Sequence, residues 1–210
     1  MSKRTVIILK ILVWLACLGP LSAAAYRVAT QTLPPNPIEY ITLLTGQSTI
    51  ILLMVTLAVT PVRKLTGQNW LIKFRRLLGL FAFFYACLHF LTYIWLDQFF
   101  DLHSIWRDIF KRPFITVGFL AFVLLIPLAV TSTAGWIRRL GGKRWNLLHK
   151  LIYVSAMAGV VHFWWKVKAD HRQPALYGGI VLVLLGYRVL APMFKRQPMR
   201  PAPVPTIEAQ

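Results

Sequence analysis

Apolar residues in this chain fall in long uninterrupted blocks separated by short basic segments, without the spacing of a surface amphipathic helix. Blocks lie at about residues 6–25, 41–62, 77–96, 114–130, 147–165 and 175–190. A helix of about 20 residues crosses the ~30 Å of bilayer hydrocarbon. The pattern therefore predicts an all-α, polytopic membrane protein, a six-transmembrane-helix bundle over residues 1–190. The first block follows Lys3 and Arg4 and ends in Ser22-Ala23-Ala24-Ala25, which resembles a signal-peptide cleavage site. Its length favours a retained span over a cleaved leader. Pro127 lies inside the fourth block, where neighbouring helices can satisfy the freed carbonyl.

The connections are polar. Residues 26–39 carry Pro34, Pro35 and Pro37 and read as a turn-forming loop. In residues 97–112, Leu102, Ile105, Trp106, Ile109 and Phe110 recur at helical spacing, which predicts a short helix lying in the membrane interface. Residues 138–144 hold Arg138, Arg139, Lys143 and Arg144 and read as a basic loop. Residues 191–210 are Pro-rich and basic without apolar pattern, a disordered cytoplasmic tail.

The formal net charge of +18 would suggest nucleic acid in a soluble protein. Here the cations sit between apolar blocks, so they read as topology signals and contacts for anionic lipid headgroups; no nucleic-acid partner is implied. Lys3, Arg4, Arg63, Lys64, Lys73, Arg75, Arg76, Arg138, Arg139, Lys143, Arg144, Lys195, Arg196 and Arg200 fall on one side. Arg27, Arg107, Lys111, Arg112, Lys166, Lys168 and Arg172 fall on the other. The two-to-one bias places both termini in the cytoplasm. Cys17 and Cys87 lie in apolar runs with no Cys-x-x-Cys-His pattern, which argues against covalent haem, an iron–sulfur cluster and a structural disulfide.

Imidazole is costly in hydrocarbon unless paired, hydrated or ligating, so His89, His149 and His162 are the candidate functional residues. Neutral imidazole is a common axial ligand of haem iron, and facing helices can offer one from each side. At ~1.5 Å per residue, His89 lies about 20 Å from the inner boundary and His162 about 25 Å from Trp145, while His149 stands only about 6 Å above Trp145. The residues thus offer one bis-histidine haem site, His89 with His162, and one unpaired candidate, His149. Thirteen residues of ideal helix between His149 and His162 leave a rotation of about 220°, pointing them to nearly opposite faces. A proton relay or structural hydrogen bonds are the rival readings for the pair, and a hydrogen-bonded interface residue is the rival for His149. His103 and His171 fall in loops and read as solvated. Ser155, Ala156, Ala158 and Gly159 give room for a macrocycle or for close helix packing. Arg75 and Arg76, with the 138–144 cluster, form a basic inner surface suited to flavin phosphate, haem propionates or lipid headgroups.

Several motifs are similar to those of the MsrQ family, formerly YedZ. They are Thr45-Gly46, Thr60-Pro61, Arg75-Arg76-Leu77-Leu78-Gly79-Leu80 leading to Leu88-His89, Arg112-Pro113, Thr131-Ser132-Thr133, Leu140-Gly141, Trp145, Leu148-His149, and His162 followed by Trp165-Lys166-Val167-Lys168. The resemblance spans residues 45–188. It implies a ferric-reductase-like membrane subunit carrying haem b, with FMN as a further candidate cofactor, in the bacterial inner membrane. Such a subunit would pass electrons from the quinone pool or a cytoplasmic flavin reductase to MsrP, a periplasmic molybdenum enzyme that repairs oxidised methionines. It would place His89, His149 and His162 at the family's haem-ligand positions. The wider class carries two histidines on each of two helices; here the third span has one.

The loops are too short to house a substrate-converting domain, so the expectation is an electron-transfer subunit rather than a complete enzyme. A histidine-relay transporter or proton-conducting protein is the rival, and the lack of acidic residues within the spans argues against it. A structural membrane anchor would not require histidines at matched depth.

Overall fold

A computed structural model of the chain describes residues 2–191, and among these every regular element is helical. Helix α1 covers Lys3–Ala29, α2 Pro37–Thr66, α3 Arg75–Leu91, α4 Leu102–Lys111, α5 Pro113–Val130, α6 Ala134–Leu148, α7 Leu151–Lys166 and α8 Arg172–Leu190. A 3₁₀ turn, Asn69–Phe74, leads into α3, and a π-helical turn, Thr92–Asp97, extends it. Five helical stretches are long and apolar enough to span a membrane: α1, α2, α3 with its two extensions, α5 and α8. The pair α6 and α7 passes together as a sixth span bent by 41°. The protein is an all-helical multi-pass membrane protein, with five such helices and a sixth where the bent pair counts as one span, against the six apolar blocks of the sequence.

Caps explain several boundaries. The Asn36 side chain accepts from the Glu39 amide and Pro37 stands at the first helical position, so α2 starts there. It runs through Pro61 and stops at Gly67, whose φ of 70° is a left-handed conformation that glycine adopts without steric cost. Asp101 caps α4 by accepting from the His103 and Ser104 amides. Helix α4 buries Ile105 and Ile109 while Leu102, Trp106 and Phe110 stay exposed at successive turns. That apolar exposed stripe fits a helix lying in the interface.

The core lies where α2, α3, α5, α7 and α8 converge, with Leu53, Leu57, Ala82, Leu125, Ala156 and Val181 buried. Ser155 is fully buried on α7 and donates to the Ala121 carbonyl of α5 at 2.9 Å. Here the small residue serves close packing, in the way small side chains let membrane helices approach. Helix α1 stands at the edge against α3, held by Trp14 edge-on to Phe81 and by the Tyr85 hydroxyl, which donates to the Cys17 carbonyl at 2.7 Å.

Two expectations are corrected. The basic segment 138–144 is not a loop: it lies within α6, interrupted at Gly141, whose φ of 73° and ψ of 152° are open to glycine. The histidine segment is therefore broken between α6 and α7, the latter beginning at Leu151, and His149 caps α6 at the bend. His149 and His162 therefore do not share one straight helix, and the 220° rotation does not apply. Of the expected disordered tail, all residues but Ala191 lie outside the described ones.

Candidate functional site

His89, near the end of α3, and His162, near the end of α7, bring their rings to a centroid separation of 6.0 Å at an interplanar angle of 76°. Each ring is fixed in the same way. His89 Nδ1 donates to the Thr42 carbonyl on α2 at 3.0 Å, and His162 Nδ1 donates to the Phe114 carbonyl on α5 at 2.7 Å. A backbone carbonyl on Nδ1 selects the tautomer whose Nε2 carries the free lone pair.

Both carbonyls already face their own helix ladder, and an imidazole reaches them only because the residue one turn on has no side chain. Gly46 stands four residues after Thr42, and Gly118 four after Phe114. A Cβ on Gly46 would lie 3.0 Å from His89 Cε1, and one on Gly118 would lie 2.5 Å from His162 Nδ1. Two helices thus carry the same device, a carbonyl followed by a glycine seat. Gly46 falls in a motif noted in the sequence but not as a seat, and Gly118 is missed altogether. The available signal is a lone glycine in an apolar span at the depth of a histidine.

The pair lines a cavity of about 860 Å³ among α2, α3, α5 and α7. Phe90, Phe119, Phe122 and Phe163 contribute aromatic walls, and Phe90 lies 4.8 Å from Phe122 between ring centres. Arg112, Lys166 and Lys168 line the mouth with Glu39 and Asp97. Such a site suits a large planar apolar ligand bearing anionic groups. Two metal–imidazole bonds of about 2 Å, with the offsets from ring centre to Nε2, amount to roughly 6 Å, so the observed spacing fits one metal between the rings. Among the described residues no group of three His, Cys, Asp or Glu could hold a bare metal ion.

His149 stands apart. Its Nε2 lies 3.0 Å from Thr131 Oγ1, which itself donates to the Pro127 carbonyl, so Nε2–H donates to the hydroxyl. Trp145 stacks on the ring at 3.9 Å and donates its indole N–H to the Thr131 carbonyl. Among the described residues no second histidine faces it. Arg75 and Arg76, expected on one basic inner surface, separate. Arg75 is half-buried and lies within electrostatic reach of His149, Arg188 and Tyr153, whereas Arg76 is exposed on a groove against α1. Consecutive helical residues point about 100° apart, which is why the two cannot share a face. Arg188 on α8 donates to the Tyr153 hydroxyl at 2.7 Å and the Leu57 carbonyl at 2.8 Å. Its Nε is buried and has no partner among the described residues. His103 is exposed on α4, and His171 packs on Trp164 at 5.0 Å, both away from the cavity.

The profile of the family described as "Ferric reductase like transmembrane component" matches residues 45–160. A relative from Herminiimonas arsenicoxydans, named protein-methionine-sulfoxide reductase heme-binding subunit MsrQ, is 54% identical over 93% of this chain and 90% of its own length. Relatives of the same name from Rhodospirillum rubrum and Caulobacter vibrioides are 50% and 48% identical, covering 90% and 85% of this chain and 90% and 85% of their own. A profile across more than half the chain, and identities near one half over nearly full lengths, agree with the helical bundle: the chain belongs to the MsrQ family, built on the ferric reductase like transmembrane component.

Proposed function

We propose that the chain is an electron-transfer subunit that binds haem b between His89 and His162 and delivers electrons to a periplasmic molybdenum-dependent methionine sulfoxide reductase, MsrP. The observation that carries this reading is the pair of imidazoles 6.0 Å apart, each with Nδ1 committed to a carbonyl. When bound, haem b supplies a one-electron carrier within the hydrocarbon layer. The protein's own residues orient it. His89 and His162 would hold its iron through Nε2, the phenylalanines would exclude water, and Arg112, Lys166 and Lys168 would meet its carboxylates. Relatives named as haem-binding subunits support the assignment.

The basic end of the bundle is the entry side in this reading. It takes electrons from the quinone pool or a cytoplasmic flavin reductase. His149 is the ligand candidate for a second carrier there, either by giving up its Thr131 contact or through Nδ1. Arg75 and Arg188 are the counter-charges for an anionic group, a propionate or the phosphate of FMN. The cation bias between loops supports an inner-membrane location with both termini in the cytoplasm. Residues 1–190 form the haem-binding domain in this reading. The decisive measurement is the absorption spectrum of the purified protein. A reduced b-type spectrum is expected, and a colourless, correctly folded protein would favour the histidine relay.

A further inference from the structure

A second concavity, of about 440 Å³, lies outside the histidine site between α1 and the start of α3. Its two walls repeat one pattern. On α1 it is lined by Ile7, Lys10, Ile11 and Trp14; on the facing segment by Lys73, Arg76, Leu77 and Leu80. Each set has the spacing i, i+3, i+4, i+7, a single helical stripe. The helices run parallel, since Trp14 meets Phe81 and Cys17 meets Tyr85 further along, and those contacts close the groove at its deep end. Lys73 stands with Ile7 at the open end and Lys10 and Arg76 about one turn further in, all three cations exposed, and among the described residues no carboxylate lines the groove.

An apolar channel that enters the hydrocarbon layer beneath three cations matches an amphiphile with an anionic head. Long cationic side chains reach from an apolar stripe to the headgroup level without burying charge. Basic pockets between spans are suited to phosphate headgroups, and the attraction adds with each cation. We propose that this groove binds one anionic phospholipid, its phosphate held by Lys10, Lys73 and Arg76 and one acyl chain laid between Trp14 and Leu80. Neither wall is complete alone, so the bound lipid also seats α1 on α3. The proposal needs only that these helices span a membrane and is independent of haem.

Trp14 is 49% exposed and lies inside the groove, which makes it a reporter. The full chain is placed in phosphatidylcholine nanodiscs, and phosphatidylglycerol or further phosphatidylcholine, each brominated on the acyl chain, is added. Tryptophan quenching should saturate at low mole fraction with brominated phosphatidylglycerol only, and the saturating part should vanish in Trp14→Phe. The triple variant Lys10→Gln, Lys73→Gln, Arg76→Gln should weaken that preference by about tenfold or more. The charge-preserving Lys73→Arg should retain it, which separates loss of charge from loss of fold. Equal quenching by both lipids would overturn the proposal. So would an anionic preference that survives the triple variant, because the whole basic surface would then be responsible.

Discussion

A Cβ on Gly118 would stand 2.5 Å from Nδ1 of His162 and 2.8 Å from its Cε1, so the imidazole rests directly on the α5 backbone. The contact that orients the ring depends on an atom that glycine lacks. Gly118→Ala must push His162 off the Phe114 carbonyl or move α5 from α7, an overpacking cost of about 1–3 kcal/mol. Gly46→Ala meets His89 Cε1 at 3.0 Å and should do the same less severely. Gly179→Ala meets nothing within 4 Å and does not line the cavity, so it should be neutral. The haem-to-protein ratio of purified variants, with helical content as control, should rank Gly118→Ala lowest and Gly179→Ala with the parent.

His89→Ala and His162→Ala should each abolish or severely reduce the low-spin b-type spectrum, since either leaves a single axial ligand. His103→Ala and His171→Ala should leave it unchanged, because neither ring lines the cavity. Retention of the full spectrum by His89→Ala would break the pairing.

The two neighbouring arginines should behave differently. Arg75→Gln and His149→Ala should slow reduction of the haem by a donor added at the basic end, while Arg76→Gln should not, because Arg76 faces the groove beside α1. Stopped-flow haem reduction in oriented vesicles separates these, with donor supplied to one side at a time. Equal slowing from both sides would indicate disturbed folding instead of a broken entry path.

Tyr85→Phe removes the buried hydrogen bond to Cys17 that ties α1 to α3. Loss of such a bond, with its acceptor left in an apolar setting, costs about 1–3 kcal/mol. Unfolding in mixed micelles should report that destabilisation, and the b-type spectrum should persist because Tyr85 does not line the histidine cavity.

Reporter fusions after residues 70 and 140 should read cytoplasm, and fusions after residues 105 and 170 periplasm. A mature protein whose N-terminal sequence begins beyond Ala25 would reduce the bundle to five spans and remove the α1 groove.

The all-helical class, the run of apolar helices, the short helix α4 and the meeting of His89 and His162 were legible in the sequence. Each depends on a one-dimensional quantity: length of apolar run, periodicity, or rise per residue along a helix. The tertiary structure decided the rest, because it turns on direction. The left-handed backbone at Gly141 and the bend after Leu148 took His149 off the axis of α7 and gave it Thr131 and Trp145 as partners. A step of about 100° between neighbours sent Arg75 and Arg76 to different sites. The seats under the two histidines needed Gly46 and Gly118 on other helices, brought to the rings by packing of α2 on α3 and of α5 on α7. A glycine in an apolar run carries no mark of which neighbour will fill its missing side chain, and only the packed bundle names that neighbour.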